Sequence, residues 1–573
     1  MKKIIIIGSG VAGLTAGICG QKNGFETIIY EKNPWVGGSC SAWKRNGFVI
    51  DNCLHWLTGT RDGSPDKKMW EELGVLKPGE QLIQRPYFLA CEAEGATVTL
   101  WRDISKTRKE MLEISPADKD EINAFLNCVQ FFADLMNSGL SARELYRSIK
   151  DFNSSLNTNK FDFTKHFVKY LNINSEEMAD RFVHPAIQAL FTEFMAKEYE
   201  SYWLMLAYSF YISGNGDLPP EGSLGMARNL KEKYLELGGK IVTNCPAKQI
   251  IIDKASKSIR TMEEELFKWK NPKTVINHHA IGVLFENGKV EAADYIIPAC
   301  DIYYTYKHLL GNKYTPKNFS KLYSKSGVHK FVVYGSFQVA FAVDGLFEEV
   351  GDTLSIGCGL IQVGTQYLER FSVKNYRCYG EYIAPENKTV IQVSIPQYEK
   401  DYKYWLKLSQ NQELYKASKN KTAMEIMHEI EVRFPDYKGK LSILDVWTPY
   451  SYKRLNNDYL GAYMRYITTP FSFNAFMSSD VSGLDNVVLA SHWLRYPGGL
   501  PTAAYTGRDA IESIKKIENY VAPIDFLKKQ VRVTSVKTKR RMKRAKAAAK
   551  KAAIKTARKA KKAAEKTLSK IKK

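Results

Sequence analysis

Lys3-Ile4-Ile5-Ile6-Ile7-Gly8-Ser9-Gly10-Val11-Ala12-Gly13 is the stretch that decides the fold. A β-branched run bounded by glycine reads as a strand buried on both faces. A helical stretch follows from Val11 to about Lys22, Asn23-Gly24 stops it, and Phe25 to Tyr30 returns as a second strand ending in Glu31. In such a unit Gly8 makes the tight turn, Gly10 lets a pyrophosphate approach the backbone, and Gly13 allows close helix–strand packing. The helix N-terminus offers unpaired N–H groups and a positive dipole end to phosphates. Glu31 is placed to hydrogen-bond ribose hydroxyls. Glycines at this spacing are often plain turns. Strand, helix, second strand and acidic end, in that order within 31 residues, select a dinucleotide site.

Beyond it, Glu31-Lys32-Asn33-Pro34-Trp35-Val36-Gly37-Gly38-Ser39-Cys40 and then Gly47-Phe48-Val49-Ile50-Asp51 resemble the FAD-binding amine oxidase and phytoene desaturase superfamily. Many amine oxidases follow the glycine pair with arginine. Ser39-Cys40, and then Asp51-Asn52-Cys53-Leu54-His55-Trp56, are more similar to the retinol saturase and carotenoid isomerase branch. Two further segments carry the resemblance. Gly238 to Val242 opens a strand followed by Ala247, and Ala280 to Phe285, Asn287-Gly288 and Asp294 to Ala299 suggest a hairpin returning to the nucleotide sheet. Asn486 to Ser491 reads as a last strand, before Pro497-Gly498-Gly499-Leu500-Pro501 and a helix to about Ile517.

The resemblance implies FAD contacts at Gly8, Gly10, Ala12, Gly13, Glu31, Lys32, Gly37, Gly38, Ser39, Ala247, Ser491, Gly499, Leu500 and Pro501. The closing helix would point its N-terminus at the isoalloxazine, where reduced flavin gains negative charge. The family usually has valine at the position of Ala247, and glycine or an acid where Ser491 and His492 stand. Implied too is hydride exchange between flavin N5 and an unreactive carbon of a long hydrophobic carotenoid-, retinoid- or isoprenoid-like substrate. Desaturation, saturation and isomerisation share one such site. No second complete dinucleotide fingerprint occurs, so an outside electron donor or acceptor, or a visiting NAD(P), is left open. His55 is the candidate catalytic residue, as a proton donor beside the flavin or else as a structural histidine. An amine oxidase-type flavoenzyme is the alternative.

These motifs imply an α/β architecture with a Rossmann-type FAD-binding domain that is discontinuous in sequence (1–85, 222–300 and 480–523). An α+β substrate domain (86–221 and 301–479) is inserted, and a basic helical or disordered tail (528–573) closes the chain. Tyr199, Tyr202, Trp203, Tyr208, Phe210 and Tyr211 crowd one segment, and Tyr303, Tyr304 and Tyr306 another. They suit either ordinary core packing or an apolar tunnel. His278-His279 lacks a third ligand at metal spacing, so no metal site is expected.

At 573 residues, with 44% apolar and 25% charged side chains, the composition excludes a fibrous or wholly disordered chain. The net charge of +22 is local: residues 528–573 hold 21 basic residues and one acid, Glu565, leaving 62 basic and 60 acidic residues elsewhere. That tail has no aromatic, glycine or proline. Ala553, Ala557, Ala560, Ala564, Leu568 and Ile571 give it a thin apolar stripe. Anionic membrane lipid is the favoured partner, against nucleic-acid phosphate or a merely solvated tail; the nucleic-acid case would make the chain a flavin-bearing scaffold. Nine cysteines, none spaced C-x-x-C, argue against a disulfide framework and for a reducing cytoplasm. Met1-Lys2-Lys3 and the isoleucines are read as a strand rather than a signal peptide, and no stretch of ~18 apolar residues suggests a transmembrane helix. The expected location is cytoplasmic, peripheral to the membrane.

Overall fold

Four consecutive isoleucines can all be buried only if both faces of their strand are covered. In the computed structural model, which describes residues 1–154, 167–261, 274–316, 319, 322–323, 332–467, 469, 477–495 and 497–521, that condition is met. Lys3–Ile7 lies parallel between Tyr295–Pro298 and Glu26–Tyr30, with Lys240–Val242 outermost, so Ile6 faces Ile297 on one side and Ile29 on the other. Ile4 and Ile6 pack against the helices Val11–Lys22, Gly222–Glu236 and Gly499–Val521, through Leu14, Leu230 and Ile511 among others. Ile5 and Ile7 face the opposite way, onto a three-stranded antiparallel sheet (Ala247–Thr261, Thr274–Phe285, Val290–Ala292) carrying Ile250, Val283 and Phe285.

The expected last strand is not a regular strand. Asn486 to Ala490 runs beside Tyr295–Pro298 through single bridges: the Asn486 carbonyl accepts from Ile296 N–H, while Val488 and Ala490 donate back to Ile296 and Pro298. The Asn486 side chain spends its amide on the carbonyls of Ala280 and Asp294, tying the segment to both sheets.

Two glycines set the first turn. Gly8 has φ +106°, a conformation side chains resist, and a Cβ there would stand 2.9 Å from the Ala299 oxygen. A Cβ on Gly13 would overlap the Gly8 carbonyl, so the helix sits against the turn only because that atom is missing.

A second, seven-stranded sheet runs in the order Leu441–Trp447, Gly335–Val343, Thr389–Gln397, Gln366–Asn375, Thr353–Val363, Tyr87–Ala93, Ala96–Trp101. It is antiparallel except for the Thr353–Val363 and Tyr87–Ala93 pair. Alternation gives it two unlike faces. Phe337, Val339, Phe341, Ile391, Val393 and Ile395 point to the helices Glu399–Leu408 and Gln412–Arg433, where they meet Trp405, Ile426 and Ile430. The intervening residues Gln338, Ser372, Lys374, Gln392 and Ser394 face a cavity. A helical layer that includes Lys119–Asn137, Pro185–Phe194 and Tyr202–Ile212 packs around Phe88 and Leu89 and closes the other side. No helix among the described residues is long and apolar enough to cross a membrane. The basic tail, 528–573, lies outside the described residues.

Candidate active site

A single cavity of about 470 Å³ runs from the Gly8–Gly10 turn to the aromatic helical layer. At the nucleotide end its wall includes Gly8, Gly10, Ala12, Glu31, Lys32, Gly37, Gly38, Ser39 and Ala247, and further along Ser491, Gly499, Leu500 and Pro501. The structure thus brings the sequence-expected contacts onto one surface, apart from Gly13, which lies behind the turn and packs against Gly8 and Ala299 instead. Gly37 N–H donates to the Ser9 carbonyl at 2.9 Å, which sets the glycine pair edge to edge with Gly10.

The wall fits FAD. A Cβ on Gly10 would meet nothing nearer than the Gly37 oxygen at 3.9 Å, and one on Gly499 would meet nothing within 4 Å, so both glycines leave open cradles at helix starts. The Val11–Lys22 and Gly499–Val521 helices both end their N-termini at the cavity, offering positive dipole ends where a diphosphate and a reduced flavin would carry negative charge.

Glu31 is not a free ribose acceptor. Its Oε2 takes Ser9 N–H (2.9 Å) and the Ser9 hydroxyl (2.8 Å), and its Oε1 takes Asn33 N–H (2.8 Å), so the carboxylate first holds the turn together. Lys32 reaches away to the Arg454 carbonyl and Asn457 Oδ1, and burial draws its pKa down. Ser39 Oγ accepts from Asn456. Two buried acids complete this end. Asp301 accepts from Tyr304 and Tyr459 N–H, and burial pushes its carboxyl up to about 6. Asp458 is raised as well, by burial and then by Asp301, and its Oδ2 has no partner. An orphan acceptor on this wall suits a ribose or ribityl hydroxyl. Ser491 caps its own turn by accepting from Trp493 N–H, and His492, whose pKa burial lowers to about 4, leaves Nε2 unpartnered at the cavity.

Further along, Asp51 accepts from the N–H groups of Cys53 and Leu54 and from Ser223, which folds the Asn52–His55 turn toward the cavity. His55 lines the wall, with Lys374 Nζ donating to its carbonyl at 3.4 Å. The residue is half-buried, with its exposed part on the cavity. Burial, and then the nearby Lys374 charge, push its pKa down to about 3, so the imidazole is neutral.

The aromatic segment divides by helical spacing. Trp203, Leu206, Ala207 and Phe210 line the cavity, while Tyr202, Tyr208 and Tyr211 turn into the core. There the Tyr208 hydroxyl donates to the Trp101 carbonyl and that of Tyr211 to the Arg85 carbonyl. Tyr304 reaches the cavity, and Tyr303 and Tyr306 do not. Sequence reading missed Arg85, Lys374, Gln392, Asp301 and Asp458. None belongs to a spaced motif, and strand alternation alone does not say which face meets a cavity. Among the described residues no cluster could hold a metal ion.

Residues 6–73 match the family described as NAD(P)-binding Rossmann-like domain. The chain is 21% identical over 558 residues to a 4,4'-diaponeurosporene oxygenase of Staphylococcus haemolyticus, covering 90% of this chain and 98% of that one. It is 22% identical to the chloroplastic prolycopene isomerase of Daucus carota over 78% of this chain and 69% of the relative. With a Flavobacterium 1-hydroxycarotenoid 3,4-desaturase it shares 25% identity over 55% of this chain and 60% of the relative. In fold it is similar to putrescine oxidase bound to putrescine (TM-score 0.52, 12% identity, 90% of this chain and 99% of that one). Reduced UDP-galactopyranose mutase is similar in the same way (TM-score 0.50, 14% identity, 90% and 96%). The chain thus carries a Rossmann-like nucleotide-binding segment, shares its fold with these enzymes, and is similar in sequence to a diaponeurosporene oxygenase, a prolycopene isomerase and a carotenoid desaturase.

Proposed function

We propose that the enzyme acts on C=C or C–C bonds of a long apolar polyene or isoprenoid. The observation that carries this is the continuity of one cavity from the glycine turn to the Trp203–Phe210 helix face. FAD, when bound, supplies hydride exchange at N5. The residues proposed above as contacts would hold its phosphates, ribose and ring. The domain division is proposed on the same basis, with the nucleotide held by 1–85, 222–300 and 480–523 and substrate by the rest.

The chain's own residues have three tasks. Trp203, Leu206, Phe210 and Phe194 exclude water and hold an apolar chain. Gln338, fixed by donating to Tyr452 and Ser336, presents a rigid amide on the floor, with Tyr452 in turn donating to Asn52. His55 is neutral in the free cavity, mainly through burial, and offers a hydrogen bond; an anion beside Lys374 would raise its pKa toward that of a proton donor. The buried cations Arg85 and Lys374 disfavour the ammonium substrate of an amine oxidase. NAD(P) or another outside carrier would balance electrons in net saturation or desaturation.

The test is spectroscopic. Purified protein should show flavin absorbance that bleaches on anaerobic photoreduction and recovers when a carotenoid or retinoid is added in detergent. Recovery with no polyene, alongside reduction by amines and peroxide release, would transfer the enzyme to the amine oxidases. Colourless protein that refuses FAD would end both readings.

For the tail we propose an anionic membrane surface, since 21 basic residues in 46 positions are each worth ~1 kcal/mol near such lipid before screening. Sedimentation with phosphatidylserine vesicles should be lost on deleting 528–573 and weakened by salt. Steep salt-dependent DNA binding with no vesicle binding would favour nucleic acid instead.

A further inference from the structure

The cavity floor does not suit a plain hydrocarbon. Arg85, Lys374 and Gln392 are all buried on its wall. Strand register sets Lys374 directly between Thr353 and Gln392, so their side chains rise together from one face. The group is rich in donors left without acceptors. Arg85 gives one N–H to the Gly216 carbonyl, while its Nε has no partner. Gln392 uses its Oε1 to accept from Tyr376, and its Nε2 has no partner. Ser372 Oγ, two residues before Lys374 on the same strand, has none either.

Charge is unbalanced in the same sense. Arg85 and Lys374 share one carboxylate oxygen, Asp352 Oδ1, at 3.6 and 3.4 Å. Two buried cations thus face one buried anion, whose Oδ2 also lacks a hydrogen-bond partner, so the excess is of positive charge and of the donors at Arg85 Nε and Gln392 Nε2. Of the acids that line the cavity, Glu193 bonds to Ser355 and feels the charge of Arg370, while Glu31, Asp301 and Asp458 lie at the nucleotide end. Unpaired buried donors beside an excess positive charge are costly to leave facing alkane, and a carboxylate satisfies both deficits.

We propose that the substrate is a long apolar molecule ending in a carboxylate, which Arg85 and Lys374 take with Gln392 as an added donor. This rests on the reading of the cavity as the substrate chamber. The apolar chain then lies along the Trp203–Phe210 face, and the carboxylate fixes which bond reaches the flavin. The same carboxylate offsets the Lys374 charge, which adds to burial in keeping His55 neutral.

The experiment titrates FAD-loaded protein with retinoate and with its methyl ester in matched detergent, reading quenching of Trp56 and Trp203, both on the cavity wall. Retinoate should bind at least about tenfold tighter than the ester, the scale of one charged hydrogen bond. Lys374→Met should equalise the two, and Lys374→Arg should restore the preference. Circular dichroism establishes that each variant is folded, and Arg85→Met substitutes if Lys374→Met is not. Equal binding of acid and ester by the unaltered protein overturns the carboxylate site, with water then filling the floor, while the polyene reading stands. Binding of neither overturns both.

Discussion

Gly13→Val should leave little folded protein, while Gly10→Ala should fold and lose FAD. The two glycines are three residues apart in one turn, yet their missing side chains face opposite ways. At Gly13 an added Cβ overlaps the Gly8 carbonyl and comes within 3.2 Å of the Ala299 Cβ, each on the residue that directly follows a strand. Overpacking against backbone costs more than about 3 kcal/mol here, since neither neighbour is a flexible side chain. At Gly10, φ is −67° and ψ 175°, acceptable to alanine, and the nearest atom to a Cβ is 3.9 Å away. The protein loses nothing from that methyl, but it occupies the cradle where the diphosphate would approach. Thermal unfolding of the cofactor-free forms should show a large fall for Gly13→Val only. Flavin-to-protein absorbance should fall at least about tenfold for Gly10→Ala, the loss of roughly one charged hydrogen bond. Retention of full flavin by Gly10→Ala would remove the diphosphate from this turn.

Asp352→Leu is the second large effect. Asp352 is 1% exposed and is the shared anion of Arg85 and Lys374. Its loss strands two cations in a buried site, a change that costs about 3–5 kcal/mol when one partner of a buried pair is removed. Lys374, whose pKa burial already lowers, would answer by releasing its proton, which limits the damage at high pH. Adding Lys374→Met to Asp352→Leu removes one of the stranded charges, so the double variant should unfold at a higher temperature than Asp352→Leu alone. Simple additivity of the two losses would show that the three groups do not interact.

The nucleotide end was legible because its signals are local. Ile4 to Glu31 carries strand, turn, helix and strand in one short window, and each part appears where the pattern places it. The apolar run of Asn486 to Ser491 has the pattern of a strand, but only its neighbour Tyr295–Pro298 decides how many ladder bonds form. The Tyr202–Ile212 helix is apolar all round, so no face could be chosen from sequence; packing sends Trp203 and Phe210 to the cavity and Tyr202 and Tyr208 inward. Lys374 and Gln392 stand on separate strands 18 positions apart and acquire meaning only through cross-strand register. Glu31 shows the reverse case: it stands at the strand end on the cavity wall, but its bonds to Ser9 and Asn33 depend on a turn whose geometry no spacing rule specifies.

The parallel sheet that carries the glycine turn has its second edge made by Tyr295–Pro298, and that edge is in turn flanked by Asn486 to Ala490. Synthesis therefore delivers the first half of the nucleotide site some 480 residues before the last. A nascent chain on the ribosome holds Ile4 to Ile7 with one flank bare until Tyr295–Pro298 emerges, about half-way through translation, and then holds Tyr295–Pro298 bare until Asn486 to Ala490 follows. On the proposed flavin contacts, cofactor loading waits until the Gly499–Val521 helix has emerged and docked. Fragments ending before that helix should be poor flavin carriers and ready substrates for proteases.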